Sequence, residues 1–303
     1  MELAWLEDFL ALAEAGNFSR AAAARNITQP AFSRRIRALE DHLGFPLFER
    51  TSWGVLLTPA GTALQPGAED ILRRTRQAVR DARRVGRDEG ATLLFGATHA
   101  LSFTFFPAWM RELERDGPLG PLGLVSDSLQ GCERLMLQGE VQFLLCHSHE
   151  AAADRFTAAR FSAKTVGADK LEPFCAPGQD GAPLWTFDQQ DSGEIPYLAY
   201  SPASGLGRIL DATVFQHPTT GRLKTIVTSH LAATLRSLAR DARGIAWLPR
   251  ALVEDDLASG RLVPCADTDW TVEMNIVVVR PNTAQSAQAE SFWSRIDEVH
   301  SGR

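Results

Sequence analysis

The sequence predicts an α/β chain with a helical head: a winged helix-turn-helix, a long linker helix, and then an α/β domain. Three observations carry that prediction. The opening residues hold three capped, helix-periodic segments with a carboxylate-free stretch running through them. Beyond Thr58 an apolar repeat near 3.5 residues persists over a long segment. The rest of the chain alternates strand-length apolar runs with amphipathic segments.

At 303 residues the chain has room for more than one core, and 45% apolar with 22% charged residues is an ordinary globular composition. The formal charge of −6 is unevenly spread. Residues 1–90 carry 13 Arg, no Lys and 12 acidic residues, a balance of +1, whereas the remainder has 18 basic and 25 acidic residues. The overall acidity therefore does not exclude an anionic partner for the first part. No apolar run approaches the ~20 residues that cross a bilayer. The opening MELAWLEDFL is acidic from its second residue, unlike a signal or transit peptide. A cytoplasmic protein with no membrane partner is expected. The four cysteines, Cys132, Cys146, Cys175 and Cys265, lie far apart with no C-x-x-C, which argues against a zinc site or a disulfide framework. They read as buried free thiols, with a redox-sensing thiol as the alternative. No cofactor and no metal is implied.

In residues 3–15, Leu3, Leu6, Phe9, Leu10 and Leu12 recur at helical spacing. Asn17 to Ser19 offer caps for a second helix over Arg20 to Arg25, whose alanines let a neighbour approach closely. Asn26 and Ile27 make a turn, and Thr28 caps a third helix whose first turn tolerates Pro30. There Phe32, Ile36, Leu39 and Leu43 form one apolar stripe, leaving Gln29, Ser33, Arg34 and Arg37 largely on other faces. From Ala15 through Leu39 the chain holds five arginines (Arg20, Arg25, Arg34, Arg35 and Arg37) and no acidic residue. A recognition helix enters the major groove N-terminus first. Arg can read guanine edges and Gln adenine edges, while Ser and further Arg meet phosphate. Carboxylates would repel the duplex, so this stretch is read as facing a polyanion; a solvated arginine-rich helix is the alternative. The contact set expected here is Ser19, Arg20, Thr28, Gln29, Pro30, Ala31, Ser33, Arg34 and Arg37.

Two short apolar runs, PLFER from Pro46 and GVLLT from Gly54, flank the break Thr51–Ser52 and suggest a two-stranded wing. Arg50 and Thr51 would lie along the backbone of the adjacent groove. Thr58-Pro59 then opens a long helix in which Leu64, Ala68, Ile71, Thr75, Ala78, Ala82 and Val85 alternate steps of four and three. That period suits a partner helix, as paired readers of a two-fold site require, with packing on the first helix as the alternative. Pro66 should kink the helix near its start. Residues 85–92, VGRDEGAT, form the hinge.

The stretch from Phe18 to Gly61, FSRAAAARNITQPAFSRRIRALEDHLGFPLFERT through LTPAG, resembles the N-terminal domain of LysR-type transcriptional regulators. GIAWLPRALVEDDLASGRLV, residues 244–263, resembles that family's signature near the end of its effector domain. Within the family, QPAFSRRIRALE, ATHALS (97–102), AYSPASGLGRIL (199–210) and GIAWLP are most similar to the hypochlorite-responsive subgroup. The resemblance implies a winged helix-turn-helix DNA-binding domain over 1–58, a linker (dimerisation) helix and hinge over 59–90, and a periplasmic-binding-protein-like effector domain over 91–303. The last would divide into subdomain I, about 91–163 and 268–303, and subdomain II, about 164–267. The subgroup is linked to methionine oxidation, yet the effector half holds only Met110, Met136 and Met274. Leu206 and His230 stand in GLGR and TSHL, where switch methionines would be sought, which counts against a methionine-sulfoxide switch.

In the effector half ATLLFGATHA begins as a strand and LSFTFFPAWMRELE continues as an amphipathic helix. GEVQFLLCH and LKTIVTS are further buried strands, and the helix HLAATLRSLARDA follows the second. Strands alternating with helices imply parallel-type packing, in which ligands collect at strand carboxyl ends and helix N-termini that favour anions. Thr98, His99 and Ser102 follow the first strand; His147 and His149 follow QFLLC; Tyr200, Ser201 and Ser204 follow IPYLAY; Ser229 and His230 follow TIVT. The resemblance places the family's cleft among these loops, adds Ala100 and Leu101 to the set, and makes His99 and His147 its firmest carry-overs. Hydroxyls, imidazoles and helix-end amides suit a small carboxylate or an amino acid. Local satisfaction of backbone groups is the alternative role for each histidine, and a metal site from His99, His147 and His230 has no motif behind it. Cys146, beside His147, is a candidate thiolate, though its place ending FLLC suits the core. Cys132, at helical spacing with Leu129, Leu135 and Met136, belongs to the core.

These readings converge on a sequence-specific transcriptional regulator. It would bind double-stranded promoter DNA as a homodimer or homotetramer and sense a small-molecule effector, a carboxylate or amino acid, in its C-terminal domain. Oxidant sensing through Cys or Met on the same fold is the alternative. An enzyme is not expected, since no phosphate loop, nucleophile elbow or metal-ligand spacing occurs.

Overall fold

The computed structural model describes residues 1–51, 54–87, 92–152, 156, 158–187, 193–216 and 221–301. By their internal contacts they fall into two units, Met1–Glu89 with Leu137–Glu140, and Gly90–Met136 with Val141–Arg303. Ser52 of the wing break and residues 88–91 of the expected hinge lie outside the described residues.

In the first unit α1 (Leu3–Ala15) ends at Gly16, which takes the left-handed conformation with φ 59°. Helix α2 (Phe18–Ala24) starts two residues before the expected Arg20, because the Asn17 side chain accepts from the backbone N–H of Ser19 (2.9 Å) and of Arg20 (3.1 Å). Its end is closed by Asn26 at φ 54°, whose N–H donates to Ala23 O while that of Ile27 reaches Ala22 O. Helix α3 (Gln29–Leu43) begins after Thr28, but the Thr28 hydroxyl makes no capping bond. Pro30 has removed one of the two N–H groups that a capping oxygen uses. Leu6, Phe9 and Leu12 of α1, Ala21 and Ala22 of α2, and Phe32, Ile36 and Leu39 of α3 close over one core.

Strands β1 (Phe48–Thr51) and β2 (Gly54–Leu57) pair antiparallel as a wing, and Val55 N–H donates to Gly16 O at 3.0 Å. The Glu40 carboxylate accepts from Leu47 and Phe48 N–H, setting the wing's angle to α3. Helix α4 (Pro59–Arg87) is capped by Thr58, whose hydroxyl accepts from Gly61 N–H. A Cβ on Gly61 would lie 2.3 Å from Leu47 O, so only glycine fits there. The helix runs on through Pro66. Its expected seam splits. Leu64 and Ala68 join Leu72 in the α1 core, whereas Ile71, Ala78 and Ala82 are exposed beside Val79, and the Val85 side chain lies outside the described residues.

The second unit contains β3 (Leu93–Thr98), α5 (His99–Thr104), α6 (Phe106–Leu113), β4 (Leu122–Asp127), α7 (Leu129–Leu137), β5 (Phe143–Ser148) and the long β6 (Phe161–Cys175). Then follow β7 (Ile195–Tyr200), α8 (Gly205–Ala212), β8 (Leu223–Ser229), α9 (Ala232–Arg240), β9 (Ala246–Pro249), α10 (Arg250–Ala258), β10 (Val263–Pro264), β11 (Val272–Pro281) and α11 (Ala287–Ser301). The helix expected from Leu101 onward is broken at Phe105, because Pro107 can enter only at the start of a new helix.

The main sheet runs β10-β6-β11-β5-β3-β4, with β9 also on β6, and β7 pairs β8 separately. Pairing is parallel among β4, β3 and β5 and between β7 and β8, but β11 lies antiparallel to both β5 and β6. The sheet is therefore mixed rather than parallel throughout. Its apolar side chains form two cores. One draws on residues from Leu93 to Val166 and from Ile276 to Ile296, the other on Leu171 to Met274. Strands β6 and β11 cross from one core to the other, and the β11 register slips at Ile276/Val277 where they cross. Among the described residues no helix is long and apolar enough to cross a membrane.

Candidate functional site

The arginine-rich stretch has its counter-charges one helix earlier. Arg25 Nε lies 2.8 Å from Asp8 Oδ1, its Nη2 2.5 Å from Glu7 Oε2, and Arg35 Nη1 3.3 Å from Asp8 Oδ2. Asp8 is fully buried, so these two arginines brace α1 against α2 and α3. Arg34 and Arg37 are exposed and meet no partner among the described residues. Gln29 Nε2 donates to Ser33 Oγ at 3.2 Å one turn along the same face. A surface groove of about 1190 Å³ collects Gln29, Pro30, Ser33, Arg34 and Arg37 of α3 with Arg50 of the wing. Arg50 stacks its guanidinium over the Phe18 ring, 5.3 Å from the centroid, which fixes its direction. Phe18 was not singled out from the sequence; its place directly after the Asn17 cap was the available signal. The other expected residues do not line this groove. Arg20 Nη2 donates to Ala15 O at 2.5 Å, Thr51 Oγ1 donates to Gly54 O, Ser19 and Thr28 are exposed, and Ala31 is half-buried.

In the second unit a cleft is lined by Thr98, His99 and Ala100 at the start of α5, by His147, by Ser204 before α8, and by His230. His99 Nδ1 is 2.9 Å from Ser126 Oγ, and the His99 and His230 rings lie 5.5 Å apart. Burial in the cleft pushes the His99 imidazolium below its ordinary 6.5, His230 pushes the same way, and Asp127 opposes them. At neutral pH His99 is therefore an uncharged donor and acceptor. Thr98 Oγ1 is buried without a hydrogen-bond partner among the described residues. His147 Nε2 sits 3.4 Å from Asp169 Oδ2, and Asp169 Oδ1 accepts from the N–H of Lys170 and of Ala251 in α10. That carboxylate orients the imidazole from beneath. Ser204 Oγ accepts from Gly207 N–H, leaving the first amides of α8 at the cleft edge.

Several expected residues support the cleft without facing it. Leu101 is fully buried in the core. Ser102 Oγ donates to His99 O at 2.7 Å, and Tyr200 OH donates to Trp247 O at 2.9 Å deep inside the second core. Ser201 N–H donates to Ser229 O, and Ser229 Oγ accepts from Leu231 N–H. His149 Nδ1 accepts from Ala151 N–H in a local turn. Sequence reading missed Asp127, Ser128 and Leu129, which line the cleft after β4. The signal was present, since LGLVSDSL repeats the strand-then-polar pattern seen at Thr98. It also missed the pair in which Arg208 of α8 grips Glu133 of α7 through two bonds, 2.5 and 2.9 Å, with Glu133 buried. Among the described residues no group of three His, Cys, Asp or Glu side chains is placed to hold a metal ion.

With this geometry in place, comparison with known proteins is direct. Residues 3–62 match the family described as bacterial regulatory helix-turn-helix protein, lysR family, and residues 86–301 match the LysR substrate binding domain. The HTH-type transcriptional regulator YjiE of Escherichia coli K12 is 28% identical over 299 residues, covering 99% of this chain and 95% of that protein. The structure of Vibrio fischeri DarR in complex with DNA shares 28% identity over 98% of each chain, with a TM-score of 0.57. Full-length HypT from Salmonella typhimurium, described as a hypochlorite-specific LysR-type transcriptional regulator, shares 27% identity over 100% of this chain and 99% of its own, with a TM-score of 0.59. The protein belongs to the LysR family and is a DNA-binding transcriptional regulator with an effector-binding domain, not an enzyme.

Proposed function

We propose that this regulator reads promoter DNA through Gln29, Ser33, Arg34 and Arg37 of α3, with Arg50 on the flanking backbone, as a homodimer or homotetramer. The exposed face of α4 around Ile71, Ala78 and Val79 supports the pairing. The effector is a small carboxylate or amino acid bound in the cleft at Thr98, His99, His147, Ser204 and His230. The observation that carries this reading is the buried Thr98 hydroxyl at the N-cap of α5, unpartnered among the described residues, beside an uncharged His99. An unmet buried hydroxyl costs about 1–3 kcal/mol, which a ligand oxygen recovers. Binding then changes the closure of the two cores about the β6 and β11 crossing and re-angles the paired DNA-binding heads. The domain division 1–58, 59–90 and 91–303 is part of this reading.

Likeness to HypT favours oxidant sensing as the second reading. Methionine chemistry is the weaker route to it, since Met110, Met136 and Met274 are buried at 6%, 0% and 2% exposure. Thermal-shift and calorimetric screening of the full chain against small carboxylates and amino acids tests the first reading. Stabilisation that Thr98→Val and His99→Ala each weaken is expected. No binding by any acid, together with an oxidant-dependent change in DNA affinity, would establish the second reading instead.

A further inference from the structure

All four cysteines are buried and reduced, yet their surroundings differ. Cys132 is sealed so completely that burial pushes its thiol up to about 12, far from ionisation. Cys175 ends β6, and Cys265 directly follows the two-residue strand β10. Their antiparallel register sets Cys175 opposite Val263 and Phe174 opposite Pro264, and Cys265 N–H donates to Pro173 O at 3.1 Å, extending the ladder by one residue. The two cysteines therefore occupy diagonal positions on one face of the strand pair, while the Cys175 thiol donates to Trp185 O at 3.8 Å. The neighbouring Cys265 thiol lowers the Cys175 thiol to about 7 against the opposing effect of burial. Cys265 itself is held well above its ordinary value, by burial and then by Cys175. One sulfur thus ionises near neutral pH beside a protonated neighbour.

We propose that Cys175 and Cys265 are a reversible dithiol–disulfide site that a hydroperoxide oxidises, separate from the effector cleft and independent of its ligand. The Cys175 thiolate attacks the distal peroxide oxygen; the O–O bond breaks, Cys175 becomes a sulfenic acid, and the departing oxygen takes the electron pair and leaves as hydroxide or alkoxide. Cys265 sulfur then attacks Cys175 sulfur. The S–S bond forms, the S–O bond breaks, and the hydroxyl departs as water with the Cys265 proton. The two thiols supply the two electrons taken up by the peroxide. Both sulfurs are closed to solvent, at 0% and 2% exposure, but the cover is thin on one side. Strand β10 is the sheet's edge, two residues long with Pro264 exposed, so a local opening of that edge admits a small oxidant without unfolding the core.

The test treats the reduced full-length chain with hydrogen peroxide under native conditions, then alkylates and maps its peptides. A Cys175–Cys265 cross-link is expected, with titratable thiols falling from four to two and returning on addition of dithiothreitol. Cys175→Ser and Cys265→Ser should each abolish the cross-link, and Cys146→Ser should leave it intact. Survival of all four thiols, or oxidation confined to Cys146 or the methionines, overturns the proposal. Should a serine variant fail to fold, the wild-type map alone decides.

Discussion

The outer face of α3 and the effector cleft both gather polar side chains, but they differ in how far those side chains are already satisfied. On α3, Arg34 and Arg37 stand in water with no partner among the described residues, while Arg25 and Arg35 of the same stretch are held by Asp8. In the cleft most groups are engaged: Ser102 with His99 O, Ser204 with α8, His147 with Asp169. Among the described residues Thr98 Oγ1 is the buried side-chain atom there that keeps no partner. The contrast follows from solvent. Exposed cations are hydrated until a polyanion replaces the water, so a surface can keep many of them unmet. An unmet group in a closed pocket has no water to fall back on, so a pocket keeps few.

Breaking the bracing side of this contrast should have the largest effect. Asp8→Ala frees Arg25 and Arg35 and should destabilise the head by about 2–3 kcal/mol, below the range for a fully buried pair because both arginines keep partial solvent access. A shift in the urea midpoint measures it, and an unchanged midpoint would remove the bracing role. Arg34→Ala should weaken promoter binding about 10- to 100-fold, if it reads a base edge at the usual 1–3 kcal/mol. Gel-shift titration over a salt series checks this, and Arg50→Ala should mainly flatten the salt dependence.

In the cleft the contrast sharpens between a facing and a supporting residue. His99→Ala should cost about tenfold in effector affinity, on the scale of one lost hydrogen bond. Tyr200→Phe should leave that affinity unchanged but lower stability by about 1 kcal/mol, through loss of the bond to Trp247 O. The smallest effect concerns pH. His99 ionises below its ordinary 6.5 in the folded chain, so the unfolded chain takes up the proton first. Stability without ligand should therefore decline as pH falls through 6.5 and level off below the folded value. A bound anion favours the imidazolium, so anion affinity should rise over the same window. Calorimetry from pH 7.5 down to about 5 measures it; an equal profile in His99→Ala would assign the titration elsewhere.

Much of the head was legible because its signals are short-range. The α1 period and Gly16 give the observed helix, and the α3 stripe of Phe32, Ile36 and Leu39 is its buried face. Competing local signals explain the nearby misses: of the candidate caps Asn17 to Ser19 it is Asn17 that caps α2, so the helix begins before Arg20, and Pro107 split one expected helix into α5 and α6. Strands β6 and β11 went unread for another reason. Each passes from one core into the other, so neither keeps the single buried face that an alternating pattern reports. Of the cleft, Thr98, His99, His147, Ser204 and His230 were legible as residues after strands and Ala100 through the family resemblance, but which of their neighbours turn inward was not.

The sequence by itself determined the helix-turn-helix, its wing and the positive character of its stretch, since caps, turns and periodicity act over a few residues. Only the tertiary structure decided that Asp8 takes Arg25 and Arg35 and leaves Arg34 and Arg37, that Arg208 grips Glu133, and that Cys265 lies against Cys175. Each is a contact between groups far apart along the chain. Its partner is chosen by how whole elements pack, a choice that no local stretch records.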